Sequence, residues 1–270
     1  MFYDCHVHTN FSADAKATVE EHCQRAIELG LKGISFTDHY EPIATGMDFS
    51  HIRACAKKAE ELQEKVPFRI FRGVELGDCI EYEKEQKQFL KQMPLDIVLG
   101  SIHTALTFRQ IGYPHLFHSE GLAQLDEKET DRFLVQYYKN VLALVQKADI
   151  DVLTHLTLPL RYLNGRYHRN ITLDKNATQI EQILKVVVDR GIALEINTSG
   201  AETQWGHLLP DKEWLELYYS LGGRRITLGS DAHIAEKLGR GLSIGAKVAK
   251  EVGFTHYCYF ENRTAVEVSL

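Results

Sequence analysis

The chain of 270 residues alternates between short apolar runs typical of β-strands and longer stretches with helical periodicity. Seven runs predict strands, at residues 2–8, 33–37, 68–75, 96–103, 151–155, 192–197 and 225–230. Strands that alternate with helices indicate βαβ units and a parallel sheet. Seven such units in one chain favour a closed or nearly closed α/β barrel over an open sheet.

The intervening segments carry apolar residues at the three- and four-residue spacing of amphipathic helices. One such stripe consists of Val19, Cys23, Ala26 and Ile27. A second consists of Leu134, Tyr138, Val141, Leu142 and Val145. Thr18, followed by Glu20 and Glu21, predicts the start of the first helix, and Gly30 its end. A last helix is expected at about residues 235–252, before a strand-like run at 254–260.

The sequence contains no internal repeat, low-complexity tract or flexible linker, so one domain spanning residues 1–270 is expected. The longest irregular stretch, residues 104–127, is rich in Gly, Pro, His and aromatic residues. Irregular segments of this length are more often active-site lids than parts of a scaffold. A second loop, residues 157–170, carries Arg161, Arg166, His168 and Arg169.

Composition limits the classes of partner. With 31 basic and 37 acidic residues the net charge is −6, which argues against a nucleic-acid-binding surface. The N-terminus does not resemble a signal peptide, and no apolar run approaches the roughly 18 residues that cross a bilayer. Five dispersed cysteines without C-x-x-C spacing favour free thiols in a reducing compartment. A cytoplasmic protein without a membrane partner is therefore expected, and its oligomeric state is not readable.

Metal-binding residue types lie where the predicted strands end. These residues are His6, His8, Asp38, His39, Glu75, His103, His155, Glu195, Asn197, Asp231 and His233. The carboxyl ends of parallel barrel strands meet at one rim, where active sites form. A single buried His is usually an ordinary core residue, but a set at seven strand ends predicts a metal centre.

The spacing at the first and third strands suits this chemistry. In His6-Val7-His8 the two imidazoles lie at i and i+2, so both face one side of a strand and can reach one cation. A carboxylate at Glu75, after an apolar run, would be costly to bury alone, and it can bridge two ions. Imidazole with carboxylate suits Zn, Fe or Mn.

The remaining histidines receive different predictions. His22 and His51 lie in helical patterns and are expected to be ordinary surface residues. Four others lie in predicted rim loops and are candidate substrate contacts: His115, His118, His168 and His207.

The complete series of motifs resembles that of the PHP (polymerase and histidinol phosphatase) superfamily over nearly the whole chain. The matching motifs are His6-Val-His8-Thr, Thr37-Asp38-His39, Gly73-Val-Glu75, Ser101-Ile-His103, Glu195-Ile-Asn197 and Ser230-Asp231-Ala-His233. Asp14 and the segment from Thr154 to Arg161 resemble the histidinol-phosphatase branch. The resemblance implies a distorted (β/α)7 TIM-like barrel.

It also implies three divalent ions, of Zn, Mn or Fe, at the rim. One ion would be held by His6, His8, Glu75 and Asp231. A second would share Glu75 and add His103 and His155. A third would take Asp14, His39 and His233; the alternative for Asp14 is a turn carboxylate at the start of a helix.

The activity implied is the hydrolysis of L-histidinol phosphate to L-histidinol and phosphate. A water shared between two ions would attack phosphorus, at a centre in which Glu75, Asp231 and His233 are the catalytic residues. Arg161 would neutralise charge on the phosphate, and Asn197, Glu202 and His207 are further candidate substrate contacts. The general acid stays open between His233, Asp38 and a metal-bound water.

One departure from the family pattern leaves the substrate open. Relatives tend to carry Leu-Arg after the segment Asn197-Thr-Ser-Gly200, whereas this chain has Ala201-Glu202. An acidic residue there would repel phosphate unless it binds an amine or turns away, and Arg161, Arg166 or Arg169 would have to compensate. The alternatives are a PHP phosphoesterase for another small phosphomonoester, an amidohydrolase-like C–N hydrolase, and a non-enzymatic metal-stabilised module.

Overall fold

Parallel β-strands form the core of the protein. The computed structural model describes residues 1–41, 49–77, 80, 83–103 and 121–270. The strands of the main sheet are β1 (Tyr3–Val7), β2 (Gly33–Phe36), β3 (His39–Tyr40), β4 (Arg69–Leu76), β5 (Ile97–Gly100), β6 (Val152–Leu153), β7 (Ala193–Asn197) and β8 (Ile226–Gly229). Their order is β1-β2-β4-β5-β6-β7-β8, and β3, which follows β2 directly, also pairs with β4.

The first and last strands of this order close the sheet into a barrel at a seam. A single parallel bridge joins Val7 to Ala232. Beside it, the amide of His8 donates to the carbonyl of Ala232, and the amide of Asp231 donates to the carbonyl of His6, both at 2.9 Å. The distorted, seven-stranded (β/α) barrel expected from the sequence is confirmed. The seam is held by few hydrogen bonds and lies beside the predicted metal ligands.

Helices cover the outside of the barrel. Among the described residues the longer ones are Val19–Leu29, Ser50–Gln63, Glu83–Gln92, Glu127–Lys147, Ala177–Asp189, Lys212–Ser220 and Leu242–Val252. The first begins at Thr18, whose hydroxyl caps the amide of Glu21 while the Glu21 carboxylate binds the amide of Thr18. It ends at Gly30 in the left-handed conformation (φ 64°), as the sequence predicts.

Three predicted segments differ from the structure. The helix expected at 235–252 is a short 3₁₀ turn, Ala235–Lys237, and a separate helix from Leu242, because Gly239 and Gly241 between them have positive φ. The loop at 157–170 is largely helical, with a turn at Leu158–Leu160 and a π-helical segment at Arg161–Arg166. The strand-like run at 254–260 is β9 (His256–Glu261), which pairs with an unpredicted strand, β10 (Thr264–Ser269).

This hairpin lies at the amino-terminal end of the barrel. The amide of Asn262 binds the Asp96 carboxylate at 3.1 Å, and Arg263 forms a salt bridge with Asp151. Asp96 and Asp151 directly precede β5 and β6. The hairpin thus anchors the end of the barrel opposite to the predicted site.

The apolar core lies between the strands and the helices. The helix Glu127–Lys147 buries Phe133, Tyr137 and Tyr138 almost completely. Burial of one large apolar side chain contributes about 1.5–3 kcal/mol. Four cysteines, Cys5, Cys23, Cys55 and Cys258, are free and buried, as expected. Within the ranges given above, no helix has the length and apolarity that a membrane crossing requires.

Candidate metal centre

The structure brings all nine predicted ligands together at the carboxyl ends of the strands. Seven of them are buried, and only Asp14 and His233 are partly exposed. His6 lies in β1 and His8 directly follows it, and their Nε2 atoms face the same site, 2.9 Å apart. His103 and His155 lie two or three residues beyond β5 and β6, on the segments that follow these strands.

The first group contains His6, His8 and Asp231. The Nε2 atoms of the two imidazoles are 2.9 Å apart. Oδ1 of Asp231 is 3.3 Å from Nε2 of His8 and 3.7 Å from Nε2 of His6. Oε2 of Glu75 completes the group, at 3.4 Å from His6 and 3.5 Å from His8.

The second group shares Glu75 through its other oxygen. Oε1 of Glu75 is 2.9 Å from Nε2 of His155 and 3.6 Å from Nε2 of His103. The two imidazole nitrogens are 3.2 Å apart. The two oxygens of one fully buried carboxylate therefore face two different groups of histidines, which is the arrangement of a bridging ligand.

The third group lies toward solvent. Oδ2 of Asp14 is 3.2 Å from Nε2 of His233 and 3.6 Å from Nε2 of His39. His8 also approaches this pair, so that ligand atoms of His8, His39 and His233 lie within 4.8 Å of one another. Asp14 thus faces the histidines instead of capping the first helix, whose cap is Thr18.

These donor sets fit divalent metal ions. The Nε2 atoms face each other in pairs, and two unprotonated imidazole nitrogens repel at such distances unless a cation or a proton lies between them. Among the described residues, no well-aligned hydrogen bond reaches Oε2 of the buried Glu75, although Nδ1 of His39 lies 2.9 Å from it. Imidazole and carboxylate ligands without thiolates suit Zn, Mn or Fe.

The electrostatics of the two central carboxylates favour their charged forms. Burial raises the pKa of Glu75, but the positive charges of His103, His6 and His39 outweigh burial and hold that pKa well below its usual range. Burial likewise raises the pKa of Asp231, and His6 and Arg161 bring it well below the ordinary value. Both carboxylates therefore favour the anionic form, in which a carboxylate can bind a metal ion.

Arg161 lies beside the first group. Its Nη1 donates to Oδ2 of Asp231 at 2.7 Å and to the hydroxyl of Ser199 at 3.1 Å. Asp231 itself has a positive φ of 54°, a conformation uncommon for residues other than glycine, although aspartate adopts it more readily than most. Asn197 is fully buried behind Arg161 and Asp231, and its side-chain amide donates a long hydrogen bond of 3.4 Å to Oδ2 of Asp231.

A cavity of about 470 Å³ adjoins Asp231 and His233. Four cationic side chains line it: Arg161, Arg166, Lys237 and Arg240. Trp205 forms an aromatic part of its wall, close to the backbone of Gly200. The cavity thus offers several positive charges next to the metal-binding groups.

Glu202 and His207 lie at the edge of this cavity. The Glu202 carboxylate accepts hydrogen bonds from Nε of Arg240 and from the amide of Gly241, each at 3.2 Å. It is therefore partly neutralised and turned toward Arg240. His207 donates to Asp211 at 2.7 Å and packs its ring against Trp205.

The prediction that His22 and His51 are surface residues is wrong. Both are buried, and each Nε2 donates to a backbone carbonyl: His22 to His8 at 2.9 Å and His51 to His39 at 2.8 Å. Their spacing carried a usable signal. His22 lies on the same helix face as Val19, Cys23 and Ala26, which are also buried, whereas Ile27 of the predicted stripe is exposed.

Sequence reasoning also left Glu41 without a role. It is fully buried, and its Oε1 forms a hydrogen bond with Nδ1 of His103 and lies 3.3 Å from Nδ1 of His39. Asp38, a candidate general acid, instead accepts hydrogen bonds from Thr9 and Ser12. Of the other candidates, His168 is exposed, whereas His115 and His118 lie outside the described residues. The stretch predicted as a lid, 104–127, is described only from residue 121, where it leads into the helix Glu127–Lys147.

Comparison with known proteins gives concordant matches. The family model for the PHP domain matches residues 4–199. A histidinol-phosphatase from Lactococcus lactis is 30% identical over 273 aligned positions, covering 95% of this chain and 93% of the relative. A probable histidinol-phosphatase from Thermotoga maritima is 27% identical, with 99% of each chain covered.

A solved structure matches as well. The crystal structure of histidinol phosphate phosphatase from Lactococcus lactis, complexed with zinc, L-histidinol and phosphate, superposes with a TM-score of 0.82 at 27% identity. The match covers 98% of this chain and 100% of that chain.

Proposed function

This chain belongs to the PHP domain family, and from that we propose that it is a metal-dependent phosphomonoesterase of the histidinol-phosphatase type. Its reaction is the hydrolysis of L-histidinol phosphate by water to L-histidinol and phosphate. The relative from Lactococcus lactis that supports this substrate is similar over almost the full length of both chains.

One observation carries the proposal: groups of histidines and carboxylates meet at one rim, and two of their members, Asp231 and His233, line a cavity that also contains four cationic side chains. A phosphate monoester is a dianion, and both the cations and bound metal ions favour its binding. The net charge of the whole chain, −6, does not oppose this, because the charges next to the ligand dominate the local potential.

We assign three ions to the three groups. The first ion would be held by His6, His8, Glu75 and Asp231. The second would be held by Glu75, His103 and His155. The third would be held by Asp14, His39 and His233. When bound, divalent ions supply Lewis-acid activation of water and neutralise charge on phosphoryl oxygens. Zinc is supported by the relative from Lactococcus lactis, and Mn and Fe suit the same donors.

The protein's own cations position the phosphate. Arg161 is held at Nη1 by Asp231 and Ser199, which fixes its planar guanidinium at the cavity wall. An arginine fixed in this way can donate two parallel hydrogen bonds to a phosphate. Lys237 and Arg240 line the same cavity and add positive charge from a different segment of the chain.

The other proposed substrate residues act through neighbours. Asn197 supports Asp231 from behind, Glu202 holds Arg240, and His207 packs against Trp205. Trp205 offers the alcohol portion of the substrate an aromatic wall, which suits a flat ring such as imidazole.

A second candidate is a phosphatase for another small phosphomonoester, such as a sugar phosphate, a nucleotide or phosphotyrosine. The observation that favours it is the cationic lining itself, because positive charge recognises the phosphate and not the alcohol to which it is attached. The two candidates differ only in the group that occupies the rest of the cavity.

The test is a substrate panel measured together with elemental analysis of the purified protein. With zinc or manganese, L-histidinol phosphate is expected to be hydrolysed with a kcat/KM well above that of p-nitrophenyl phosphate, sugar phosphates, nucleotides and phosphotyrosine. Equal rates for histidinol phosphate and p-nitrophenyl phosphate would make the specific assignment wrong. A metal content near three ions per chain is expected, and a content near two would favour an amidohydrolase-like centre.

A further inference from the structure

A buried carboxylate lies directly behind the metal-binding groups. Glu195, on β7, is 1% exposed. Its Oε1 accepts a hydrogen bond from Nδ1 of His6 at 2.6 Å. The opposite nitrogen of the same ring, Nε2, faces His8, Glu75 and Asp231. The His6 imidazole therefore stands between Glu195 and the first metal-binding group.

The second oxygen of Glu195 reaches another predicted ligand. Oε2 accepts the backbone amide of His155 at 2.8 Å and the side-chain amide of Asn197 at 3.2 Å. His155 has a positive φ of 23°, a strained conformation for a residue with a side chain. This backbone conformation directs its Nε2 to within 2.9 Å of Glu75.

We propose that Glu195 is a positioning residue that orients His6 and His155 for metal binding, and so couples the first and second metal sites. The proposal rests on metal binding in the proposed function but not on the identity of the substrate. Since a carboxylate can only accept hydrogen bonds, Glu195 requires the proton of the His6 ring to be on Nδ1, which leaves the lone pair of Nε2 for the metal. The hydrogen bond to Glu195 also makes the imidazole a stronger electron-pair donor to the metal.

The packing of β8 supports this role. A Cβ added at Gly229 would overlap Oε1 of Glu195 and would lie 2.6 Å from Cβ of His6. A side chain at this position would displace either the carboxylate or the imidazole. Glycine at position 229 is thus explained by the room that the pair of His6 and Glu195 requires.

Direct participation of Glu195 in catalysis does not fit its surroundings. Both of its oxygens accept hydrogen bonds from His6, His155 and Asn197, and it does not line the cavity beside Arg161. Glu195 therefore acts on the reaction through the residues that it holds.

The experiment measures zinc affinity of the full chain by competition with a chromogenic chelator. E195Q keeps the size of the side chain but loses the charge and one acceptor, and its zinc affinity is expected to fall about 10- to 100-fold. The matched control is D96N, because Asp96 is also buried and accepts backbone amides but lies at the other end of the barrel. D96N is expected to bind zinc like the wild type.

A double-mutant cycle separates positioning from a general loss of stability. If Glu195 acts through His6, E195Q should lower zinc affinity much less in the H6A background than in the wild type, whereas a structural effect would be additive. G229A is expected to reproduce the defect of E195Q. Its control is G100A, in which the added Cβ crowds Ile150 instead.

The outcomes are distinct. Zinc affinity of E195Q within twofold of the wild type, or lowered no more than in D96N, would overturn the role of Glu195. Thermal unfolding of the metal-free variants identifies any variant that has lost its fold. A wild-type protein that binds zinc but hydrolyses no phosphomonoester would instead overturn the proposed function and leave the positioning role intact.

Discussion

Glu202 and Arg240 form an ion pair at the edge of the cavity, with Nε of Arg240 3.2 Å from Oε2 of Glu202. The acidic residue that the sequence analysis identified as a source of repulsion is thus held by a cation from a different loop. Arg240 also lines the cavity that Arg161 enters. The pair places a positive charge at the cavity proposed to bind phosphate, without leaving the carboxylate unpaired.

The Glu202–Arg240 pair predicts opposite effects of two substitutions. R240A is expected to weaken inhibition by inorganic phosphate about tenfold, because a hydrogen bond to a charged group contributes about 1.5 kcal/mol. E202Q is expected to strengthen inhibition by a factor of about two, because it removes a nearby negative charge. Inhibition constants in steady-state assays measure both. If both substitutions changed the inhibition constant in the same direction, the proposed role of the Glu202–Arg240 pair would be contradicted.

Arg161 is expected to be irreplaceable even by lysine. R161K keeps the charge but loses the planar donor pair that Asp231 and Ser199 hold in place. We expect kcat to fall by about 100-fold, the effect of losing one fixed donor to a developing charge. R224K is the matched control, since Arg224 contacts Tyr219 far from the centre. Similar kinetics for R161K and the wild type would exclude Arg161 from phosphate binding.

Substitutions of Glu75 and of His233 should lower the metal content of the protein by different amounts. In the proposed assignment Glu75 binds two ions, through its two oxygens, and His233 binds one. E75Q is therefore expected to lose about two ions per chain and H233A about one. Elemental analysis of the two purified variants after gel filtration gives these numbers, and circular dichroism monitors the barrel. Equal metal contents would argue against a bridging role for Glu75.

Metal removal should destabilise the protein as well as inactivate it. At a free zinc concentration of about 100 times the Kd, one site stabilises the folded state by about 2.7 kcal/mol. For a chain of this size we expect chelation to lower the Tm by about 5 °C or more. Differential scanning fluorimetry with and without added zinc tests this. An unchanged Tm would mean that the histidine groups do not bind zinc in the folded state.

His22 should contribute to stability through one hydrogen bond. H22L keeps the helix face apolar but leaves the carbonyl of His8 without its donor, which costs about 1–3 kcal/mol. The matched control is H256L, because His256 is exposed on β9 and is expected to change stability by less than about 0.5 kcal/mol. Urea denaturation of both variants measures the difference. Equal stabilities would show that the His22 bond contributes nothing measurable.

The sequence was sufficient for the barrel and for identifying the side chains that meet at its rim, because both depend on local pattern. Each of the seven predicted runs contains a strand, and their carboxyl ends converge, so residues as distant as His6 and His233 meet at one rim. Spacing alone placed His6 and His8 on one face. Strand ends were less accurate: β5 stops at Gly100 and β6 at Leu153, before the ligands His103 and His155.

What the sequence did not reveal depends on contacts between distant segments. Glu41 is an ordinary acidic residue in the sequence and Glu195 is only one of several polar residues at strand ends, so the fold alone shows which imidazole each one contacts. The hairpin of β9 and β10 turns at Asn262 and Arg263, both with positive φ, and arginine gives no local turn signal. The hydrogen bonds of His22 and His51 are made to carbonyl groups of other segments, and the sequence does not show these partners.

The seam between β1 and the segment after β8 has a consequence for biosynthesis. The first proposed ligands lie at positions 6 and 8 and the last at positions 231 and 233, and they meet across this seam. During translation the amino-terminal histidines are therefore made long before their partners, and they cannot form the complete centre until nearly the whole chain has left the ribosome. Acquisition of metal by the full centre is thus a late step, and a chain truncated before residue 231 could not complete it.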